Sequence, residues 1–265
     1  MKERFQLLLS LKVMEYEINE LSKFAEECED CFDLLKAKLD GLHQFITDDN
    51  NISLWREWGE DDDIAVYSER VREAAVQALC NLEKYQSVRS CNHQLNASEY
   101  IHTLSKSVKQ EMEELQITCS SKVLFIGSGA FPVSALTIAS EKKAEVFCVD
   151  IDQEAVIMGE KVAGITGLSN HVTFSNQPLQ KVDFANEATH VVIASLVKNK
   201  QEVLSELKSA LQPNTRVILR YGNGLKSIFN YPLETDLSKE WKLKKVTKAD
   251  SFYDTLVLEK STGTT

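Results

Sequence analysis

Glycine and proline are scarce in this sequence, with 10 and 4 among its 265 residues. That scarcity excludes collagen-like and low-complexity disordered chains. Long apolar runs are also missing: nowhere do 18 apolar residues follow one another, and charges interrupt the apolar run of the first 20 residues. Neither a transmembrane helix nor a secretory signal peptide is therefore predicted, and we expect a globular, cytoplasmic protein with no membrane partner.

Positive charge is in deficit, since 30 Lys and Arg face 40 Asp and Glu, for a formal net charge of −10. A surface that follows the phosphates of a nucleic acid needs clustered basic residues, so we expect a small-molecule substrate and no nucleic-acid partner. The six cysteines are scattered, which is typical of reduced thiols. Cys28 and Cys31 form a C-x-x-C without a second pair, and no metal site is predicted.

The first 118 residues carry helical periodicity and no strand pattern. A long amphipathic helix is predicted from apolar residues that recur at spacings of four and three, namely Leu7, Leu11, Met14, Ile18, Leu21 and Ala25. Further helices are expected over residues 28–45, 66–89 and 99–115, with breaks at the polar run 47–51 and the acidic run 60–63. We predict an all-α domain over residues 1–118. Its first helix either packs on that domain or pairs two chains in a homodimer.

After residue 119 short β-rich runs alternate with helical ones, at residues 122–126, 145–149, 172–174, 190–194 and 215–219. Such alternation predicts an α/β fold with a parallel sheet and crossover helices. Two last runs, 241–246 and 255–258, have no helix between them and are expected to pair antiparallel at the sheet edge. We predict a Rossmann-type domain over residues 119–265, of the kind that binds S-adenosylmethionine rather than a nicotinamide cofactor.

Residues 123–132 (VLFIGSGAFP) form a buried strand, a glycine turn and the start of a helix. Gly127, Ser128 and Gly129 would let a ligand approach the backbone, and Pro132 suits the first turn of a helix. Asp150 ends the next strand, where a carboxylate accepts hydrogen bonds from ribose hydroxyls. Because Pro132 replaces the third glycine of a dinucleotide motif, a nucleoside without phosphates fits better. A tight turn without a ligand is the alternative.

Two neighbours of Asp150 are also interpreted from their positions. Ile151 would lie over the strand end, where it packs either against an adenine or against the edge of the sheet. Asp152 precedes a predicted helix at residues 153–163, and we expect it to be the N-cap of that helix.

Residues 220–224 (RYGNG) follow the strand 215–219 and suggest a substrate site. Strand ends in such sheets face the ligand crevice. Arg220 would hold a substrate carboxylate in a bidentate pair, or would pair with an acidic residue of the protein itself. Tyr221 would form a wall of the pocket, and Asn223 completes this predicted substrate-binding group.

Four blocks together resemble nicotianamine synthases, and more closely their bacterial relatives that make staphylopine-type opine metallophores. The blocks are residues 123–132, 149–155 (VDIDQEA), 190–197 (HVVIASLV) and 218–232 (ILRYGNGLKSIFNYP). By this resemblance Ser195 and Leu196 join the cofactor-binding residues. In the helical half the segment Asn81-Leu82-Glu83 resembles the one that carries the family's catalytic glutamate, and Tyr100 stands where the family often has a tyrosine near the substrate.

The resemblance implies an enzyme that transfers the aminobutyrate arm of S-adenosylmethionine to the α-amine of histidine and releases methylthioadenosine. It favours D-histidine over L-histidine and requires no metal. The product would pass to an opine-type NAD(P)-dependent dehydrogenase in metallophore biosynthesis. Three alternatives stay open: a nicotianamine synthase proper, a small-molecule methyltransferase, and a non-catalytic S-adenosylmethionine-binding scaffold.

Overall fold

The computed structural model describes residues 1–92, 99–246 and 251–260, with the side chains of residues 99–103 left out. Its first part is helical, as predicted. The helices are α1 (Lys2–Glu27), α2 (Cys31–Thr47), α3 (Asp49–Trp58), α4 (Asp62–Cys91) and α5 (Glu99–Glu114).

Helix α1 buries the predicted apolar row on one face. Leu7, Leu11, Met14, Ile18 and Ala25 are all buried, and α1 packs mainly against α2 and α4. The predicted row is therefore used within the chain's own core rather than for pairing two chains.

Helix α3 was not predicted, because the polar run at residues 47–51 was interpreted as a break between helices. The side chain of Asp48 instead accepts a hydrogen bond from the backbone N–H of Asn51 at 3.0 Å and caps α3. A run of Asp and Asn satisfies the free N–H groups of a first helical turn as readily as those of a loop. The run thus contains the predicted break, at Asp48, and also the start of an additional helix.

A seven-stranded sheet occupies the second part, in the order β3-β2-β1-β4-β5-β7-β6. The first five strands are parallel, and β7 pairs antiparallel with both β5 and β6. The predicted α/β fold with an antiparallel pair at one edge is confirmed. The strands are β1 (Lys122–Ile126), β2 (Glu145–Val149), β3 (Val172–Ser175), β4 (His190–Ile193), β5 (Arg216–Tyr221), β6 (Trp241–Val246) and β7 (Asp254–Lys260).

Three helices connect the parallel strands: α6 (Val133–Lys142), α7 (Gln153–Ile165) and α8 (Lys200–Leu207). One face of the sheet contributes Phe125, Val192 and Ile218 to a hydrophobic cluster that also contains the cores of α1, α2 and α4. The other face, with Leu124 and Leu219, packs with residues of α8. The predicted domain boundary at residues 118 and 119 falls between α5 and β1. Division into two domains stays a prediction, since one cluster joins both parts.

Every helix among the described residues is too short or too polar to cross a membrane. All six cysteines are free.

Candidate functional site

A glycine turn joins β1 to α6 at the carboxyl end of the sheet. Gly127 and Gly129 have positive φ angles of 78° and 70°, which a residue with a Cβ rarely adopts. A Cβ on Gly127 would lie 2.6 Å from Cγ2 of Val197. The side chain of Ser128 is buried beside the Cys148 thiol. The missing Cβ of Gly127 makes room for Val197, so the turn packs closely against the segment that follows β4.

Pro132 lies one position earlier than predicted. It is the residue immediately before α6 and not part of the first helical turn.

Asp150 follows β2 and lies directly beside this turn. Its Oδ2 accepts the Gly129 N–H at 2.8 Å, and its Oδ1 accepts the Asp152 N–H at 3.0 Å. These two bonds fix the orientation of the carboxylate, which keeps further lone pairs for hydroxyl donors. Ile151 is 99% exposed and offers an apolar surface at the strand end. Both residues fit a ligand that carries a ribose and a flat base.

Asp152 caps α7 through the Glu154 N–H at 2.9 Å, which confirms the expected N-cap.

Helix α4 forms the roof above this edge of the sheet. On one side Lys84 pairs with Asp152 at 2.7 Å and with Glu154 at 2.6 Å. Ser87 donates a hydrogen bond to the Ala130 carbonyl at 2.6 Å. The roof is therefore fixed directly over the glycine turn.

The other side of the roof is tied to the segments after β4 and β5. Glu73 accepts a hydrogen bond from the Tyr231 hydroxyl at 3.0 Å and pairs with Lys198 at 3.1 Å. Arg72 donates to the Ser227 carbonyl at 2.9 Å. We call the space under the middle of α4, between these two sets of contacts, the cleft.

Glu83 projects from the middle of α4 onto the glycine turn. Its carboxyl group accepts hydrogen bonds from the backbone N–H groups of Ala130 and Phe131, and a Cβ on Gly129 would overlap Oε2 of Glu83. Burial and then the negative charge of Asp150 raise the pKa of Glu83 to about 8, against the lowering effect of the two N–H donors. A carboxyl group with a pKa near neutral pH suits proton transfer.

Cys80 lies one turn before Glu83 on α4. The residue is exposed at the surface, yet partial loss of water around its thiol, followed by the charges of Glu83 and Asp150, raises the pKa of Cys80. Burial, followed by the hydrogen bond to Glu73, raises the pKa of Tyr231 to about 12, with a smaller contribution from Cys80. Cys80 thus lies close enough to Glu83, Asp150 and Tyr231 for their charges to interact.

Ser195 and Leu196 lie in the segment that follows β4, on the floor of the cleft. The carbonyl of Ser195 accepts the Tyr231 N–H at 3.2 Å. Leu196 is partly buried against the main hydrophobic cluster. Their backbone is close to the glycine turn, because Val197 contacts Gly127.

The predicted substrate role of Arg220 is not supported. Arg220 is 3% exposed and pairs with Glu111 of α5 at 2.6 Å, while Ser134 of α6 accepts another of its hydrogen bonds at 2.9 Å. Thr255 donates to the other oxygen of Glu111 at 2.8 Å. The guanidinium is thus a buried structural cation and is not available for a substrate carboxylate.

Tyr221 and Asn223 are also placed differently from the prediction. Tyr221 is buried in the cluster on the opposite face of the sheet, because neighbouring strand residues point to opposite faces. Asn223 bonds the backbone of Leu233 in both directions, accepting at 3.0 Å and donating at 3.3 Å. Neither residue lines the cleft under α4.

The roof contacts Glu73, Lys84, Lys198 and Tyr231 were not singled out from the sequence. For the residues of α4, helical spacing was an available sequence indication, since residues 73, 76, 80, 83, 84 and 87 share one face of a helix. For Lys198 and Tyr231, no sequence pattern indicated a contact with α4.

Tyr100 lies in the first turn of α5, and its side chain is outside the described residues.

Comparisons with known proteins show what this chain is similar to. The family model described as "Nicotianamine synthase protein" matches residues 73–263. An L-histidine 2-aminobutanoyltransferase of Pseudomonas aeruginosa is 37% identical, over 98% of this chain and 99% of that protein. One of Yersinia pestis is 31% identical, over 96% and 95%.

Among solved structures, MtNAS in complex with MTA and tNA matches with a TM-score of 0.82 and 16% identity, over 95% of this chain and 97% of that one. A mutant of MtNAS in complex with S-adenosylmethionine matches with a TM-score of 0.77 and 16% identity, over 93% and 97%. At such low identity these matches support the fold alone.

Proposed function

Because this chain belongs to the nicotianamine synthase family, we propose that it transfers the aminobutyrate arm of S-adenosylmethionine to the α-amine of histidine and releases methylthioadenosine. Three relatives that match nearly the whole chain are named for transfer of this group to histidine. The observation that carries the proposal is the Glu83 carboxyl group, held on the glycine turn with a pKa raised to about 8.

The chemistry needs one bond to form and one to break. The amine nitrogen attacks the methylene carbon of the arm that is bonded to sulfur. That C–S bond breaks, its electron pair goes to sulfur, and the sulfonium becomes the neutral thioether of methylthioadenosine. Since each of the three carbons on the sulfonium is activated, the one that reacts is the one aligned with the amine.

Glu83 supplies the base in this proposal. The α-amine of a free amino acid is largely protonated at neutral pH and must lose a proton before it attacks. Glu83 accepts that proton only as a carboxylate, so activity rises as the pH increases through about 8. A bound sulfonium cation favours the carboxylate and shifts this limb of the pH profile to lower pH in the complex.

The nucleoside part binds along the edge of the sheet. The glycine turn at residues 127–129 borders it, Asp150 accepts hydrogen bonds from the ribose hydroxyls, and Ile151 packs on the adenine. Ser195 and Leu196 close the floor beneath it. The orientation of Asp150 and the exposure of Ile151 support these assignments.

We propose L-histidine as the substrate, in place of the D-histidine that the resemblance found in the sequence favoured. All three of the histidine relatives carry L-histidine in their names.

Mass spectrometry of the purified protein with S-adenosylmethionine and either L- or D-histidine tests the proposal. We expect methylthioadenosine and an aminobutyrate adduct of L-histidine in equal amounts. S-adenosylhomocysteine would indicate a methyltransferase, and cofactor binding without turnover on either isomer would indicate a scaffold. Several arms on one acceptor would indicate a nicotianamine synthase proper.

We also propose that a nicotinamide-dependent dehydrogenase consumes the product. The transferred arm carries a primary amine, which can condense with a 2-oxo acid and then be reduced by hydride. A coupled assay with such a dehydrogenase would measure NAD(P)H consumption that depends on the adduct. The cytoplasmic location stays a prediction from the sequence.

A homodimer is proposed through the outer face of α1. Its exposed apolar residues follow helical spacing: Phe5 is 54% exposed, Leu9 62%, Val13 43% and Tyr16 67%. Light scattering should give twice the chain mass for the wild type and a single chain for Leu9→Glu. A wild-type mass of one chain would contradict the proposal.

A further inference from the structure

Lys200 is a buried lysine at the first residue of α8, with 3% of its surface exposed. Its Nζ donates to three backbone carbonyls: Ser195 at 2.9 Å, Val197 at 2.5 Å and Tyr231 at 3.3 Å. None of the described carboxylates lies within ion-pair distance of it. A cation at the N-terminus of a helix is also disfavoured by the helix dipole. Among the described residues, the hydrogen-bond partners of this buried ammonium are therefore backbone carbonyls, which it holds in place.

That segment connects the lysine to the glycine turn. The carbonyl of Val197 is bound to Lys200, and the side chain of Val197 lies against Gly127, so closely that a Cβ there would be 2.6 Å away. A shift of the segment would therefore move the surface on which the nucleoside is proposed to lie.

The same ammonium also connects the floor of the cleft to its roof. Lys200 bonds the carbonyl of Tyr231 and lies 5.6 Å from the centre of its ring. The Tyr231 hydroxyl then donates to Glu73 of α4. Lys200 thus contacts residues 195–197 and Tyr231 directly, and is linked to α4 through the Tyr231 hydroxyl.

We propose that Lys200 is a positioning residue that holds residues 195–197 in the form that binds the nucleoside of the cofactor. The inference rests on the proposed function, because it takes S-adenosylmethionine as the ligand of this edge. Lys200 itself touches neither substrate.

Protonation of Lys200 controls this arrangement. Burial, and then the positive charge of Arg72, lower the pKa of Lys200 to about 7. A neutral amine has two N–H groups for three carbonyls, so the segment loosens as the pH rises through about 7. The described titratable and charged groups that face Lys200 directly or through Tyr231 are Arg72, Glu73 and Cys80 of α4, Lys198 of the loop, and Tyr231 itself.

Calorimetric titration with methylthioadenosine, which carries no group that titrates between pH 6 and 9, tests the inference. At pH 6 we expect Lys200→Met to bind about tenfold more weakly than the wild type. Wild-type affinity should fall between pH 6 and 9, and the fall should be smaller in Lys200→Arg, which stays charged and keeps only the titration of Glu83 in this range. Lys208→Met removes an exposed lysine just beyond α8 that pairs with Glu240, and should match the wild type throughout.

Circular dichroism establishes that each variant is folded. Equal affinity of Lys200→Met and the wild type at pH 6 would overturn the inference, as would the same fall with pH in Lys200→Met or Lys200→Arg. Absence of binding by the wild type at every pH would overturn the proposed function together with this inference. The two failures are therefore distinguishable.

Discussion

Gly129→Ala should remove most of the activity at a small cost in stability. The new Cβ would overlap Oε2 of Glu83, and the φ angle of 70° is unfavourable for alanine. The overlap is relieved if the carboxyl group of Glu83 moves away from the turn by about 1 Å, a displacement that costs on the order of 100-fold in rate at a reacting centre. The backbone strain should cost about 1–2 kcal/mol of unfolding free energy.

Gly167→Ala is the matched control. Gly167 has nearly the same φ angle, 71°, and its added Cβ would have no atom within 4 Å. Both variants should lose similar stability in urea denaturation, whereas the control should keep its kcat/KM for methylthioadenosine formation. The comparison separates strain from displacement of the base.

A double-mutant cycle with Glu83→Ala completes the test. Without the carboxyl group there is nothing to displace, so Gly129→Ala should change the residual activity of Glu83→Ala by less than about threefold. If Gly129→Ala alone retains activity within about threefold of the wild type while folded, the carboxyl of Glu83 is not the base held on this turn.

Three further predictions concern single residues. Glu83→Gln should lower kcat by about 10²–10⁴-fold and abolish the rise in activity through about pH 8, with methylthioadenosine binding retained; an unchanged pH profile would contradict this. Arg220→Met should cost about 3–5 kcal/mol in urea denaturation, because Glu111 is left buried without its cation, whereas a raised KM for histidine at unchanged stability would restore the substrate role. Ile151→Ala should leave the melting temperature unchanged, since the side chain is exposed, but should weaken methylthioadenosine binding by about fivefold; equal affinity in calorimetry would exclude its contact with adenine.

The strands of the sheet could be predicted closely from the sequence. Those at residues 122–126, 145–149 and 241–246 have the predicted bounds. Each is a short β-rich run bounded by turn or polar residues, and the local pattern therefore determines its extent. The break predicted within residues 47–51 lies at Asp48, between α2 and α3. Helix α3 itself was not predicted, since Asp and Asn favour loops and helix starts alike.

Side-chain roles at the end of β5 could not be predicted in the same way. Sequence position places Arg220 and Tyr221 at the correct edge of the sheet, but not on the correct face. The face with Arg220 is covered by α5, whose Glu111 neutralises it, and nothing in the sequence connects two residues 109 positions apart. The burial of Lys200 could not be predicted either. The polar run Lys198-Asn199-Lys200 is typical of an exposed turn, and only the fold places the Lys200 ammonium among backbone carbonyls.

The position of Glu83 depends on the packing of the helical part more than on the ion pairs at the edges of the roof. The pairs of α4 with Asp152, Glu154 and Lys198 are partly exposed, and such pairs contribute about 0–1 kcal/mol each. By contrast α4 buries a continuous row of apolar residues in the cluster shared with α1 and the sheet. Because the proposed base, Glu83, projects from this helix onto the glycine turn, the proposal implies that the contact between the two parts sets the alignment that selects the reacting carbon. Under the proposed function, a Rossmann sheet that could also support methyl transfer acquires its base from the added helices.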